Sequence, residues 1–279
     1  MAKAFYTDLT YYLYSTYLKK TKRVDIYLPE SYYQNDTEDY NLVLMNDGQE
    51  APRLKLYETL RYLHGNCVIE DTVWVSIHAD EERMLEYGVA SQTDYANRGS
   101  KASAYNQFII KELMPFLRQS FLVSISPAQN AFIGFSLGGL SAFDIVWNSP
   151  QLFGKVGIFS GSFWWRSKAI DNGYTDLDRI MHKVIRESQY KKGLKFWLEV
   201  GTLDEASDRN NSGIIDAIED TLDIISELEE KGYTEDDIKY VEIQGGEHNP
   251  ETWGKILPNF LLWAFPRQSY GHHSGKVFM

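Results

Sequence analysis

The sequence predicts an α/β fold with a largely parallel central sheet and helices on both of its faces. Three observations predict it. Short apolar runs alternate with amphipathic segments along nearly the whole chain. Runs such as Leu42–Met45 are apolar at every position, as strands buried on both faces are. The 279 residues are 43% hydrophobic and 14% aromatic, enough for a core, so disordered and collagen-like classes are excluded. Linkers, repeats and low-complexity stretches are missing from the sequence. One domain spanning 1–279 is therefore expected, with a loosely ordered tail after Arg267 that carries His272 and His273.

Residues 11–18 and 23–28 flank a Lys-rich turn and read as an antiparallel hairpin that Pro29 ends. Leu42–Met45 is a strand closed by the turn signature Asn46-Asp47-Gly48, and a helix is expected from about Ala51 to Leu63. Thr72–Ile77 is the next strand, followed by a polar, Tyr-containing loop to Gly99. Ala102–Ser120 reads as an amphipathic helix with Phe108, Ile109, Leu113 and Phe116 on one face, and Pro115 is expected to kink it. In the second half, strands are expected at 131–135, 156–159, 195–200 and 239–243. Helices are expected at 137–148, 214–231 and 249–265, and His182 lies in a charged, helix-like stretch.

The formal net charge is -11, with Lys and Arg scattered. That argues against nucleic acid, whose binders need a basic face, and against an anionic membrane surface. No apolar stretch is long enough to span a bilayer. The first twenty residues alternate polar and apolar instead of forming a signal-peptide core, so a cytoplasmic location is expected. Cys67 is the single cysteine, which excludes an intrachain disulfide and a Cys-based zinc site. Association of identical chains stays open.

Gly134-Phe135-Ser136-Leu137-Gly138 matches G-x-S-x-G between an expected buried strand and an expected helix. There the pattern has a mechanical meaning: a sharp strand-to-helix turn projects the serine from the carboxyl edge of the sheet. Serine needs a base, and in folds with this turn the chain order is Ser, acid, His. Of six histidines, His64 and His78 precede Ser136, although His78 also sits at a strand's carboxyl edge, where it is open to line a pocket. His248, in a loop between a strand and a helix, fits. The acid should follow the preceding strand; Asp204 is favoured by its turn position, with Glu205 and Asp208 as alternatives. An oxyanion hole needs two backbone N–H groups, assigned to Leu137 and Gln49. No cofactor is required for such chemistry.

These residues, with RMLEY (83–87), DYANRG (94–99), FIIKELMP (108–115), SGSFWW (160–165), GTLDE (201–205) and GGEHNPETW (245–253), resemble the "Putative esterase" family. That family includes S-formylglutathione hydrolase, feruloyl and acetyl xylan esterases and enterobactin esterases. The resemblance covers about residues 20–265. It implies an α/β-hydrolase fold and ester hydrolysis through Ser136, His248 and an acid that maps to Asp204, on a small-molecule ester. The His-Gly-Gly-Gly loop of lipases and a long lid insertion are lacking, which favours an open cleft. Acyl transfer by the same triad and a non-catalytic binding module on this fold are the rival readings; the intact Ser–acid–His order argues against the second.

Phe163, Trp164, Trp165 and Trp253 follow the expected sixth strand and His248, and are candidates to wall an acyl or aryl pocket, or to pack at a loop base. Asp208, Asn210, Ser212, Ile214, Asp216 and Glu219, with Gly213 at the sixth position, have the spacing of a calcium loop. A structural Ca²⁺ is expected there; the alternative is a polar turn capping the next helix.

Overall fold

The structure, a computed structural model, describes residues 6–34 and 39–267. The tail expected to be loosely ordered, with His272 and His273, lies outside the described residues. The eight strands among them are β1 (Tyr6–Ser15), β2 (Lys20–Pro29), β3 (Asn41–Asn46), β4 (Thr72–Ile77), β5 (Asn130–Phe135), β6 (Lys155–Phe159), β7 (Lys195–Leu203) and β8 (Ile238–Glu247). They form one sheet in the order β1-β2-β4-β3-β5-β6-β7-β8. β1–β2 and β2–β4 pair antiparallel; every other pair is parallel.

Period-two alternation divides the core. Leu42, Leu44, Val73, Val75 and Phe132 face one layer, and Val43, Met45, Trp74, Ala131 and Ile133 face the other. Helices α1 (Leu56–Gly65) and α8 (Pro250–Ala264) cover the second layer. The first is covered by α3 (Ala102–Gln107), α4 (Met114–Ser120), α5 (Leu137–Asn148), α6 (Ile180–Glu187) and α7 (Asp216–Glu230); the single turn α2 (Arg83–Glu86) precedes α3. Strands β3, β4 and β5 are buried at every position, as their unbroken apolar runs require.

Departures from the expected elements have local causes. The helix expected from Ala51 begins at Leu56, because Lys55 is left-handed at φ 52 and the chain before it turns as a 3₁₀ segment, Gly48–Glu50. The helix over 102–120 is continuous but passes through a π-helical stretch, Phe108–Leu113, just before Pro115. Proline lacks the N–H and crowds the carbonyl one turn back, and the wider π turn absorbs both. Helix α6 is tied to α7 by Arg179 and by His182, whose Nε2 meets the Asp220 carbonyl at 3.1 Å. Among the described residues no helix is long and apolar enough to cross a membrane.

Candidate active site

The parallel strands end together, so the loops after β3, β5, β6, β7 and β8 share one edge of the sheet. Ser136 occupies the turn between β5 and α5 with φ 53 and ψ −124, a conformation side-chain-bearing residues rarely adopt. The strain is held from several directions. Ser136 N–H donates to the Phe159 carbonyl at 2.8 Å, and its own carbonyl accepts from Ser162 and Gly139 at 3.2 and 3.0 Å. The elbow also demands small neighbours: a Cβ on Gly134 would lie 2.2 Å from the Gly138 carbonyl oxygen, and one on Gly138 would lie 2.6 Å from Asp47 Oδ2. The Ser136 hydroxyl lies 3.4 Å from that of Ser162. Among the described residues no hydrogen bond joins it to His248.

His248 and Asp204 come together from β8 and β7, with Nδ1 3.7 Å from Oδ2. The Asp204 side chain is 1% exposed, whereas the imidazole is 41% exposed, edge-on to Trp253 at 5.3 Å. Glu205, the neighbouring alternative, is exposed; partial burial and the nearby Asp216 carboxylate push its pKa up. Asp208 is occupied elsewhere, accepting from the Ser212 and Gly213 N–H groups.

Leu137 opens α5 and Gln49 lies in the first turn of the 3₁₀ segment, so neither N–H has a carbonyl of its own helix to reach. Their two loops are tied to each other. Asn46 Nδ2 donates to the Gly138 carbonyl at 2.8 Å, and Tyr105 donates to Asn46 Oδ1 at 2.6 Å. Asp47, left-handed at φ 60, donates its N–H to the Tyr87 hydroxyl. Its nearly buried carboxylate is gripped by Arg83 through Nε at 2.6 Å and Nη2 at 2.8 Å. Arg83 was visible in the sequence only as part of the RMLEY motif. Replacing it by Met leaves the Asp47 carboxylate buried and unpaired. The Arg83→Met variant is expected to melt several degrees lower and lose about 10–100-fold in kcat, with Lys restoring only part because it lacks the two-pronged fork. Thermal melts and steady-state rates with a short aryl ester check this.

The three tryptophans differ from one another in placement. Trp165 is fully buried, packed against Gly88 and Gly99, and Trp253 is 6% exposed, stacked on Phe135 and donating to Ser160 Oγ at 2.8 Å. Both are packed into the core, Trp253 also meeting the His248 ring; Trp164 of the three is partly exposed.

Beside them lies a residue the sequence reading passed over, Glu199, a lone acid in the apolar strand β7. Both its carboxylate oxygens are buried without a hydrogen-bond partner. Burial and the nearby Asp204 push its pKa up to about 8, so it is mostly protonated at neutral pH. The unfolded chain ionises this group near its ordinary value, so the folded state holds the extra proton between about 4.5 and about 8. Its contribution to stability is therefore full at low pH and is lost as pH rises through that window. Glu199→Gln is expected to flatten this decline and raise the melting temperature at pH 8 by several degrees, read by thermal scans from pH 5 to 9.

At the calcium positions the side chains bond to one another and to Arg209. Glu219 accepts from Asn210 Nδ2 at 2.9 Å and Ser212 Oγ at 2.6 Å. Ile214 gives its N–H to Ser212 Oγ, and Asp216 is turned to Arg209, whose backbone N–H and guanidinium lie 2.9 and 3.4 Å away. The Arg209 guanidinium thus lies against one of the carboxylates that a shell of six to eight oxygens would use. Among the described residues no three His, Cys, Asp or Glu side chains converge as a metal site. The loop's groups satisfy one another ahead of α7.

A cavity of about 390 Å³ lined by Tyr40, Asn41, Glu70, Asp71 and Arg267 opens at the amino-terminal edge of β3.

With this geometry in hand, comparison with known proteins is decisive for the family. The model of the family described as "Putative esterase" matches residues 15–264. The chain belongs to that family. This esterase-family chain is 26% identical to Bacillus subtilis YbbA over 249 residues, covering 88% of this chain and 92% of that one. Its fold is similar to that of a ferulic acid esterase, with a TM-score of 0.72 at 15% identity over 94% of this chain and 98% of the other. It is also similar to the S-formylglutathione hydrolase of Staphylococcus aureus, with a TM-score of 0.65 at 18% identity over 95% and 98% of the two chains. The α/β-hydrolase architecture expected from the resemblance is the architecture found.

Proposed function

We infer that the protein is a serine carboxylesterase acting on small or medium carboxylic esters, with Ser136 as nucleophile, His248 as base and Asp204 as the orienting acid. Membership of an esterase family makes ester substrates the natural class. The observation that carries the reading is Ser136 itself, held at φ 53 on a strand-to-helix turn, with the Asp204–His248 pair on loops at the same edge of the sheet.

In this mechanism Asp204 accepts from Nδ1–H of His248, which leaves Nε2 free of a proton and facing the hydroxyl. The pair has to close by nearly an ångström, and the Ser136 hydroxyl has to turn away from Ser162 toward Nε2; such tightening is usual when a substrate binds. Oγ then attacks the ester carbonyl carbon as Nε2 takes its proton. The negative charge that develops on the carbonyl oxygen is met by the N–H groups of Leu137 and Gln49. Collapse breaks the bond to the alcohol, which leaves with the proton from the imidazolium. Water then attacks the acyl-enzyme, gives its proton to Nε2, and releases the acid with Ser136 restored.

Hydrolysis of p-nitrophenyl acetate and butyrate, followed from the first turnover, tests the reading. Turnover with a burst of p-nitrophenol matching the enzyme concentration is expected where deacylation is slow. Failure of the protein to hydrolyse any short aryl ester above the buffer rate overturns it.

A further inference from the structure

The geometry points to Arg166 as the residue that selects a carboxylate-bearing ester, its guanidinium receiving the anionic end of the substrate while the ester lies at Ser136. The inference rests on the esterase reading above and adds a substrate class to it.

Arg166 lies in the segment between β6 and α6. Its guanidinium carbon sits 5.1 Å from the ring centre of Tyr95, 5.9 Å from Trp164 and 5.6 Å from Tyr174. The Tyr95 N–H donates to the Arg166 carbonyl at 3.0 Å, which fixes the two loops together. The surrounding cations are all neutralised. Arg98, over Trp164 at 4.8 Å, pairs with Asp94. Arg179 pairs with Asp220 and Asp223, Arg209 with Asp216 and Asp220, and Lys168 with Asp178. Arg166 forms no ion pair among the described residues. Its Nη1 reaches only the Trp164 carbonyl at 3.3 Å, and its buried Nε has no hydrogen-bond partner.

An unpaired guanidinium is unexpected in a chain of net charge -11, where carboxylates are abundant. Rings within cation–π range favour the charge and restrain the side chain. The in-plane N–H donors remain, and their fork matches a carboxylate. The position relative to the nucleophile is bounded by the chain. Ser162, whose hydroxyl lies 3.4 Å from that of Ser136, is four residues before Arg166. Four residues span at most about 14 Å from backbone to backbone, a separation on the scale of a medium-length acyl chain ending in a carboxylate. Trp164, partly exposed and midway in sequence between Ser162 and Arg166, offers an apolar edge on the same stretch of chain for the stem.

Two p-nitrophenyl esters of equal acyl length test this, one of suberic acid with a free carboxylate and one of octanoic acid. Wild type is expected to show a KM for the suberate ester roughly tenfold or more below that of Arg166→Gln, with kcat little changed and Arg166→Lys intermediate. The octanoate ester should be indifferent to the substitution. Equal effects of Arg166→Gln on both esters, or none on either, overturn the inference. Binding is read separately from catalysis by titrating Ser136→Ala with monomethyl suberate, followed by tryptophan fluorescence. The double variant with Arg166→Gln should bind roughly tenfold or more weaker. Loss of hydrolysis with this binding difference intact would overturn the esterase reading and leave Arg166 as an anion site; equal binding in the two proteins overturns the role of Arg166.

Discussion

Ser136→Ala is expected to lower kcat on a short aryl ester by about 10³-fold or more and to abolish labelling by a fluorophosphonate probe. The size follows from what the substitution removes. Without Oγ no acyl-enzyme forms, and only binding and the N–H groups of Leu137 and Gln49 remain to assist attack by water. The substitution should cost little in folding, because alanine can keep the turn while the Ser136–Ser162 contact it loses is a long one, at 3.4 Å. Peptide mapping of the labelled wild-type protein checks the assignment. An adduct on another serine, or an Ser136→Ala rate near that of wild type, removes Ser136 from the mechanism.

Asp204→Asn is expected to lower kcat by about 10³–10⁴-fold while Glu205→Gln changes it only a few-fold. Asp204 lies 3.7 Å from His248 Nδ1 with its side chain 1% exposed, whereas Glu205 faces solvent. An amide at 204 offers an N–H to Nδ1 as readily as a carbonyl, so the imidazole loses both its fixed tautomer and the anion that stabilises its charged form. Position 204 is also crowded: a Cβ on Gly201 would approach Asp204 Oδ1 at 3.0 Å, and asparagine, being isosteric, respects that space. Rates of the two variants, measured beside melting temperatures that should stay close to wild type, decide the acid. A severe loss in Glu205→Gln with Asp204→Asn near wild type would move the acid one position along the chain.

The elements legible in the sequence are those written in short-range pattern. The run Leu42–Met45 reads as a buried strand because each residue is apolar whichever face it meets, and it lies within β3. The elbow at Ser136 was legible because glycine is needed within two residues on either side of it. The placement of Ser136, Asp204 and His248 on loops at one edge was legible because chain order in a parallel sheet maps onto strand position. Trp165 and Trp253 kept two readings in the sequence, pocket wall or loop-base packing, because an aromatic residue after a strand has the same local signature in both; their burial is a property of the tertiary structure. The calcium spacing records which residues carry oxygen; that Arg209, one residue past Asp208, turns back onto Asp216 is visible only in the tertiary structure.

The sequence by itself determined the sheet-and-helix alternation, the strained serine turn and the family, since each depends on residues a few positions apart. The tertiary structure alone decided which distant groups meet at the carboxyl edge. Arg83 reaches Asp47 across 36 residues, and Trp253 reaches Ser160 across 93. Arg166 enters its ring of Tyr95, Trp164 and Tyr174 from a different loop than Tyr95 does. Parallel strands require long crossovers, and each crossover returns the chain to the same edge with a loop whose side-chain partners have no fixed spacing in sequence.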